Sequence, residues 1–241
     1  RRSSDLSSLA AGAAALAALP LARSVHAAGS GVLKIGLIGC GGRGTGAALN
    51  ALNAGEDIRL VAMADLFEDK VQASLKRLAK VRPAQVAVDD DHCFFGFDAY
   101  QQVLASPIDA VVIACTSHFH PRMLGDAVKA GKHIFCEKPH SLDVPGLKRV
   151  AAICEEARKK GLSIVSGLMN RYNPCVRETV HRIRDGAIGR IVTIQETYCV
   201  NPYHVGKRLP EWTERQWQFR NWYHFNWLAG DQCLQQLIHS I

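Results

Sequence analysis

Ile35-Gly36-Leu37-Ile38-Gly39-Cys40-Gly41-Gly42-Arg43-Gly44 is the stretch on which the fold turns. A short apolar run with buried-strand character feeds directly into a glycine-rich turn, and a helical pattern over 45–53 follows. Residues 39–44 therefore satisfy G-x-G-x-x-G in the required order of strand, glycine loop and helix. Gly39 permits the tight turn, Gly41 removes a side chain that would block a pyrophosphate, and Gly44 lets helix and strand pack closely. Gly42 and Arg43 complete the loop, and the helix N-terminus offers phosphates its unpaired N–H groups and the positive end of its dipole. Asp65 ends the next apolar strand, 21 residues beyond Gly44. A carboxylate there accepts hydrogen bonds from the adenosine ribose and repels a 2′-phosphate. NAD is expected over NADP for that reason, with Arg43 or Lys70 softening the preference.

Working outward, short apolar runs alternate with longer amphipathic stretches, the signature of βαβ units and a parallel sheet. Strands are expected over 33–38, 60–64, 110–114, 133–136 and 163–166, and helices over 45–53, 70–78, 121–130 and 144–160. Ser141 is the expected N-cap of the last helix, with Asp143 in its first turn. After Tyr172 the rhythm changes to a helical run reaching Arg184, a turn at Asp185-Gly186 and a strand-like run over 190–200. The fold class is thus α/β: a Rossmann-type doubly wound parallel sheet over 31–168, followed by the start of a second α/β domain over 169–241 that reads as incomplete.

Arg1-Arg2 precedes an apolar, alanine-rich stretch over 9–22, and Val25-His26-Ala27 offers a small-residue cleavage site. This reads as a signal peptide of the twin-arginine type over 1–30, directing export to the periplasm. The stretch is shorter than the roughly 20 apolar residues of a membrane span, so no stable insertion is expected after processing. Of the 241 residues, 48% are hydrophobic and 21% charged, which excludes disorder and fibrous repeats. The net charge of +7 is scattered among acids instead of forming a stripe, so nucleic acid is not an expected partner. None of the eight cysteines stands in a C-x-x-C pair, and most are expected to be buried free thiols. His118 and His120 lack a suitably spaced third ligand, and no metal is expected.

Glu137-Lys138-Pro139, preceded by Ala130-Gly131-Lys132-His133-Ile134-Phe135-Cys136, resembles the glucose-fructose oxidoreductase/inositol dehydrogenase/MocA family. The glycine loop, Cys115-Thr116-Ser117-His118-Phe119-His120 and Asn170-Arg171-Tyr172-Asn173-Pro174 agree in order. The resemblance covers roughly 32–241. It implies an N-terminal Rossmann domain, a second domain with an open, mostly antiparallel sheet, and a homo-oligomer. It also implies hydride exchange between NAD(P) and a sugar or polyol. By the same resemblance Thr116, His120, Glu137 and Lys138 belong to the cofactor site, while Asn170, Arg171 and Tyr172 line the substrate side.

Physically, the Lys138 ammonium can orient a substrate hydroxyl and stabilise developing negative charge. The family carries an acid and, four residues later, a histidine on one helix; here that register falls on Gln235 and His239. Spacing of four puts both on one helical face. His239 can accept a proton near neutral pH, whereas Gln235 can only hold a hydroxyl or orient the imidazole. Asp231 either binds substrate or caps this helix, capping being favoured. Trp212, Trp217, Trp222 and Trp227 suit packing more than sugar stacking. Arg215 and Arg220 among them either meet an acidic sugar or pair with Glu211 and Glu214. Besides net oxidation or reduction, the residues allow glycoside cleavage or epimerisation through a transient keto-sugar. A dinucleotide-binding protein without chemistry is the third reading, motivated by Gln235.

Overall fold

Strands β1 (Leu33–Ile38), β2 (Ile58–Asp65), β3 (Cys93–Phe95), β4 (Ala110–Ile113), β5 (His133–Cys136) and β6 (Ile164–Ser166) pair in parallel throughout. Their spatial order is β3-β2-β1-β4-β5-β6. The chain winds outward from β1 to one edge, then crosses to β4 and winds to the other. The reversal between β1 and β4 opens a crevice outside the carboxyl ends of the strands. The structure, a computed structural model, describes residues 31–199, 201 and 203–239; the leader expected over 1–30 lies outside them.

Helices α1 (Gly42–Asn53), α2 (Glu68–Val81), α3 (Ala99–Ala105), α4 (His120–Lys129) and α5 (Val144–Lys159) connect or flank the strands. Strand alternation sorts the core into two layers. Leu37, Met63 and Val112 pack with Leu52 of α1 and Leu78 of α2. Ile38, Val111 and Ile113 pack on the opposite face with Val103 of α3, Leu124 of α4 and Ile153 of α5. Leu37, Leu52 and Leu78 are at most 1% exposed, and complete burial of each contributes about 1.5–3 kcal/mol.

All five expected strands form. β3 and α3 were not legible: β3 is a three-residue edge strand lying beside β2 alone, set between Asp90-Asp91-His92 and Gly96. Helix α1 begins at Gly42, because the glycine loop itself makes the first turn. The cap of α5 is Asp143, whose Oδ1 accepts from the Gly146 amide at 2.6 Å, not Ser141. Pro145 sits in the first turn and sets the helix start after Asp143.

Beyond β6 the chain continues through α6 (Pro174–Arg184), α7 (Glu214–Arg220), α8 (Asn226–Ala229) and α9 (Gln232–Gln235). The strand-like run over 190–200 is not a strand across 191–199. A strand exists only as part of a ladder, and among the described residues none pairs with it, so Val192 and Ile194 stand exposed. The cysteine expectation also needs correction. All eight are free, yet only Cys40 and Cys136 are buried, while Cys154, Cys175, Cys199 and Cys233 are exposed. The exposed four lie on the outer faces of helices or in the segment after the sheet, where an isolated small apolar side chain carries little penalty.

The close approach of α1 to the β1 turn makes a testable contrast. A Cβ at Gly44 would lie 1.7 Å from the Gly39 carbonyl oxygen, whereas one at Gly41 would meet nothing within 4 Å. Gly44→Ala is expected to lose about 1–3 kcal/mol of stability or more, and Gly41→Ala less than about 0.5 kcal/mol. Thermal or urea unfolding of the two variants checks this.

Candidate active site

Four carboxyl-terminal strand ends deliver the site. Gly39 follows β1, Asp65 ends β2, Thr116 lies past β4, and Glu137 follows β5. Gly39 has φ +96°, the left-handed region that favours glycine. Gly41 caps α1 with no side-chain hydrogen bond to the first-turn amides, which leaves those N–H groups available to a ligand. Cβ atoms at Gly41 and Gly42 would enter open space. Beside the loop is a pocket of about 290 Å3, lined among others by Gly39, Asp65, Phe67, Thr116 and Arg220. These features fit a dinucleotide: amides for the diphosphate, room above the glycines, and an acid at the ribose position.

The Asp65 carboxylate is itself pinned to the loop. It accepts from the Cys40 amide at 2.7 Å and the Phe67 amide at 3.1 Å. Burial raises its pKa, and the two amides oppose that rise. Arg43 of the loop reaches across to β5, its Nε donating to Glu137 Oε1 at 2.6 Å. Glu137 is buried and lies against Gly167, where a Cβ would come within 2.7 Å of its carboxylate.

Lys138 follows directly, in a cis bond to Pro139, and its Nζ donates to the backbone carbonyl of Gln235. Burial lowers the Lys138 pKa, with Glu137 opposing and Arg43 assisting. Burial also lowers the His239 pKa, and the Lys138 ammonium lowers it further. The imidazole is therefore neutral at neutral pH, and its buried Nδ1 has no hydrogen-bond partner among the described residues. The Asn170 amide donates to the His239 carbonyl at 3.1 Å, fixing that end of the backbone.

The expected continuous helix through Gln235 and His239 is broken. Helix α9 ends at Gln235, and a single 3-10 turn over Leu237–His239 carries the histidine. Gln235 is 2% exposed, and its Nε2 donates to the Ala229 carbonyl at 2.6 Å and to Ser117 Oγ at 3.2 Å. A carboxylate has no such donors, so this side chain is committed to the scaffold while the Gln235 backbone carbonyl meets Lys138. Asp231 caps α9, its Oδ1 accepting from the Leu234 amide at 3.0 Å.

His120 is buried, with Nδ1 2.7 Å from the Pro139 carbonyl and Nε2 3.1 Å from that of Cys115. Both ring nitrogens are thus occupied by backbone, and burial lowers its pKa to about 4. It clasps the Lys138-Pro139 turn to the end of β4. His118 Nδ1 lies 2.9 Å from the Trp227 carbonyl. Arg171 and Tyr172 are exposed on the 3-10 turn over Met169–Tyr172. Arg220 pairs with Asp69, not with Glu211 or Glu214. Among pocket-lining residues, Phe67, Phe97 and Phe219 were not anticipated; no spacing in the chain links them.

A parallel sheet in this order with a glycine loop at its switch point defines a dinucleotide-binding Rossmann domain. Residues 33–165 match the GFO_IDH_MocA family, described as an oxidoreductase family with an NAD-binding Rossmann fold. The chain belongs to that family. It is 28% identical over 159 residues to a myo-inositol 2-dehydrogenase of Thermotoga maritima, covering 66% of this chain and 42% of the relative. It is 35% identical over 114 residues to a glycosyl hydrolase family 109 protein of Solibacter usitatus, covering 46% of this chain and 25% of the relative. The crystal structure of a 3-ketoreductase from Actinomadura kijaniata in complex with NADP is similar, with TM-score 0.51 and 26% identity over 66% of this chain and 45% of that one. The chain thus spans less than half the length of these relatives.

Replacing Gln235 by the acid expected from the family tests its scaffold role. Gln235→Glu puts a carboxylate oxygen against the Ala229 carbonyl and is expected to cost about 1–3 kcal/mol at neutral pH. Burial would raise the new carboxyl's folded pKa above its unfolded value, so the native state binds the extra proton and stability returns as pH falls. Unfolding midpoints of the variant measured from pH 8 to about 5 check this.

Proposed function

We propose that this chain carries the cofactor site and the central acid–base pair of an oxidoreductase that moves hydride between a sugar or polyol CH–OH carbon and NAD(P). The observation that carries the reading is the Lys138 ammonium beside a neutral His239 with an unpartnered buried Nδ1. The Arg43–Glu137 pair ties the turn bearing Lys138 to the glycine loop. When bound, a nicotinamide supplies the hydride acceptor or donor. Lys138 holds the substrate hydroxyl and stabilises negative charge on its oxygen. His239 Nδ1 takes the hydroxyl proton, or returns it in the reverse direction. Asn170 positions His239 through its backbone, and Arg171 and Tyr172 face the substrate side. Asp65 at the ribose position favours NAD, with Arg43 or Lys70 softening the preference.

The similarity to a glycosyl hydrolase family 109 protein favours a second reading, in which the same pair serves net glycoside cleavage or epimerisation. Oxidation at one sugar carbon acidifies the neighbouring C–H, which His239 can deprotonate once it has passed the hydroxyl proton to solvent. Sugar release with solvent deuterium incorporated and no accumulating NADH distinguishes the two. The reading also divides the chain into a cofactor domain over 31–168 and part of a substrate domain over 169–241, within a homo-oligomer. Arg1-Arg2 before the apolar stretch over 9–22 supports export by the twin-arginine route.

In the full-length protein, Lys138→Ala is expected to reduce turnover about 100-fold or more while NAD affinity stays nearly unchanged. Steady-state kinetics and a binding titration check both halves. The pH profile of kcat/KM follows from the two lowered pKa values. His239 remains a competent base below its ordinary value, so the acid limb falls below about pH 6.5, and the alkaline limb set by Lys138 falls below about pH 10.4. Lys138→Ala removes the alkaline limb.

A further inference from the structure

The segment after the sheet returns over the ribose end of the cofactor pocket, and one residue fastens it there. Arg220, the last residue of α7, donates from Nη1 and Nη2 to the two carboxylate oxygens of Asp69 at 2.9 and 2.7 Å, across 151 residues of sequence. Asp69 lies in the first turn of α2, just past the Asp65 end of β2. The guanidinium carbon lies 3.9 Å from the Phe67 ring centroid and 4.7 Å from that of Trp212. Such cation–π contacts strengthen a charge pair that is partly desolvated. The hydrogen bonds from Arg220 hold the Asp69 carboxyl below its usual pKa.

Next to it, Phe219 packs edge-on against Phe97 at 5.3 Å and stacks on Phe119 at 6.0 Å, both from the sheet-side lining. Phe219, Arg220 and Trp222 line the pocket together with Gly39 and Asp65. The buried Nε of Arg220 has no hydrogen-bond partner among the described residues.

We propose that Arg220 is the cofactor-retention residue, clamping the 212–222 segment over the adenosine half of NAD(P) so that release requires the Arg220–Asp69 pair to open. This rests on the reading of the pocket as the dinucleotide site. Arg220 is a positioning residue: it acts on the dissociation rate, through the segment it holds, and not on the chemical step.

The test uses the full-length protein and stopped-flow displacement of bound NADH by excess NAD, read by fluorescence. Asp69→Asn and Arg220→Gln are each expected to speed NADH dissociation by about tenfold, with a much smaller change in association rate. Wild-type release should quicken between low salt and about 0.5 M salt, whereas Arg220→Gln should have lost that sensitivity. The exchange pair Asp69→Arg with Arg220→Asp should recover much of the slow release. Unchanged dissociation in Asp69→Asn, with native thermal stability, overturns the clamp. If Arg220→Gln does not fold, Asp69→Asn decides alone. Absence of NADH binding to the wild-type protein instead overturns the site assignment and the clamp with it.

Discussion

The contact on which the structure depends is the backbone of Gly44 against the carbonyl of Gly39. Only two residues without side chains allow α1 to start directly above the β1 turn, and a methyl group at Gly44 would overlap that oxygen. The approach places the first turn of α1 at the crevice where the winding of the sheet reverses. It also brings the Cys40 amide to the Asp65 carboxylate. The position for phosphates and the position for the ribose are therefore consequences of one packing constraint.

From this loop, polar links run across the strand ends to the reactive groups. Arg43 reaches Glu137, Lys138 follows Glu137, and its ammonium meets the carbonyl of Gln235. His120 holds the other side of the same turn. Its neutral ring can donate through one nitrogen only, with Nδ1 at the Pro139 carbonyl and Nε2 at that of Cys115. The turn bearing Lys138 is thereby fastened to β4 on one side and to the glycine loop on the other.

The fold was largely legible in the residues because a parallel sheet is buried on both faces and its strands read as apolar runs. The element missed, β3 with its following helix, is a three-residue run set between Asp90-Asp91-His92 and Gly96. The glycine loop, Asp65 and the Glu137-Lys138-Pro139 turn were legible for a related reason: each is a local motif whose residues lie within one turn or strand end. The strand-like run over 190–199 shows the opposite case, since alternation proposes a strand but only a partner strand makes one.

The amino-acid sequence by itself determined the Rossmann sheet, the glycine turn at its switch point and the Glu137-Lys138-Pro139 motif. All of these follow from local periodicity, backbone freedom or side-chain type. Only the tertiary structure decided that Gln235 is spent on Ala229 and Ser117, that His120 is buried between the Pro139 and Cys115 carbonyls, and that Arg220 crosses to Asp69 instead of pairing with a nearby glutamate. Partners far apart along a chain are selected by which elements pack together, and that choice is made by the buried faces as a whole, not by the spacing of the charged residues.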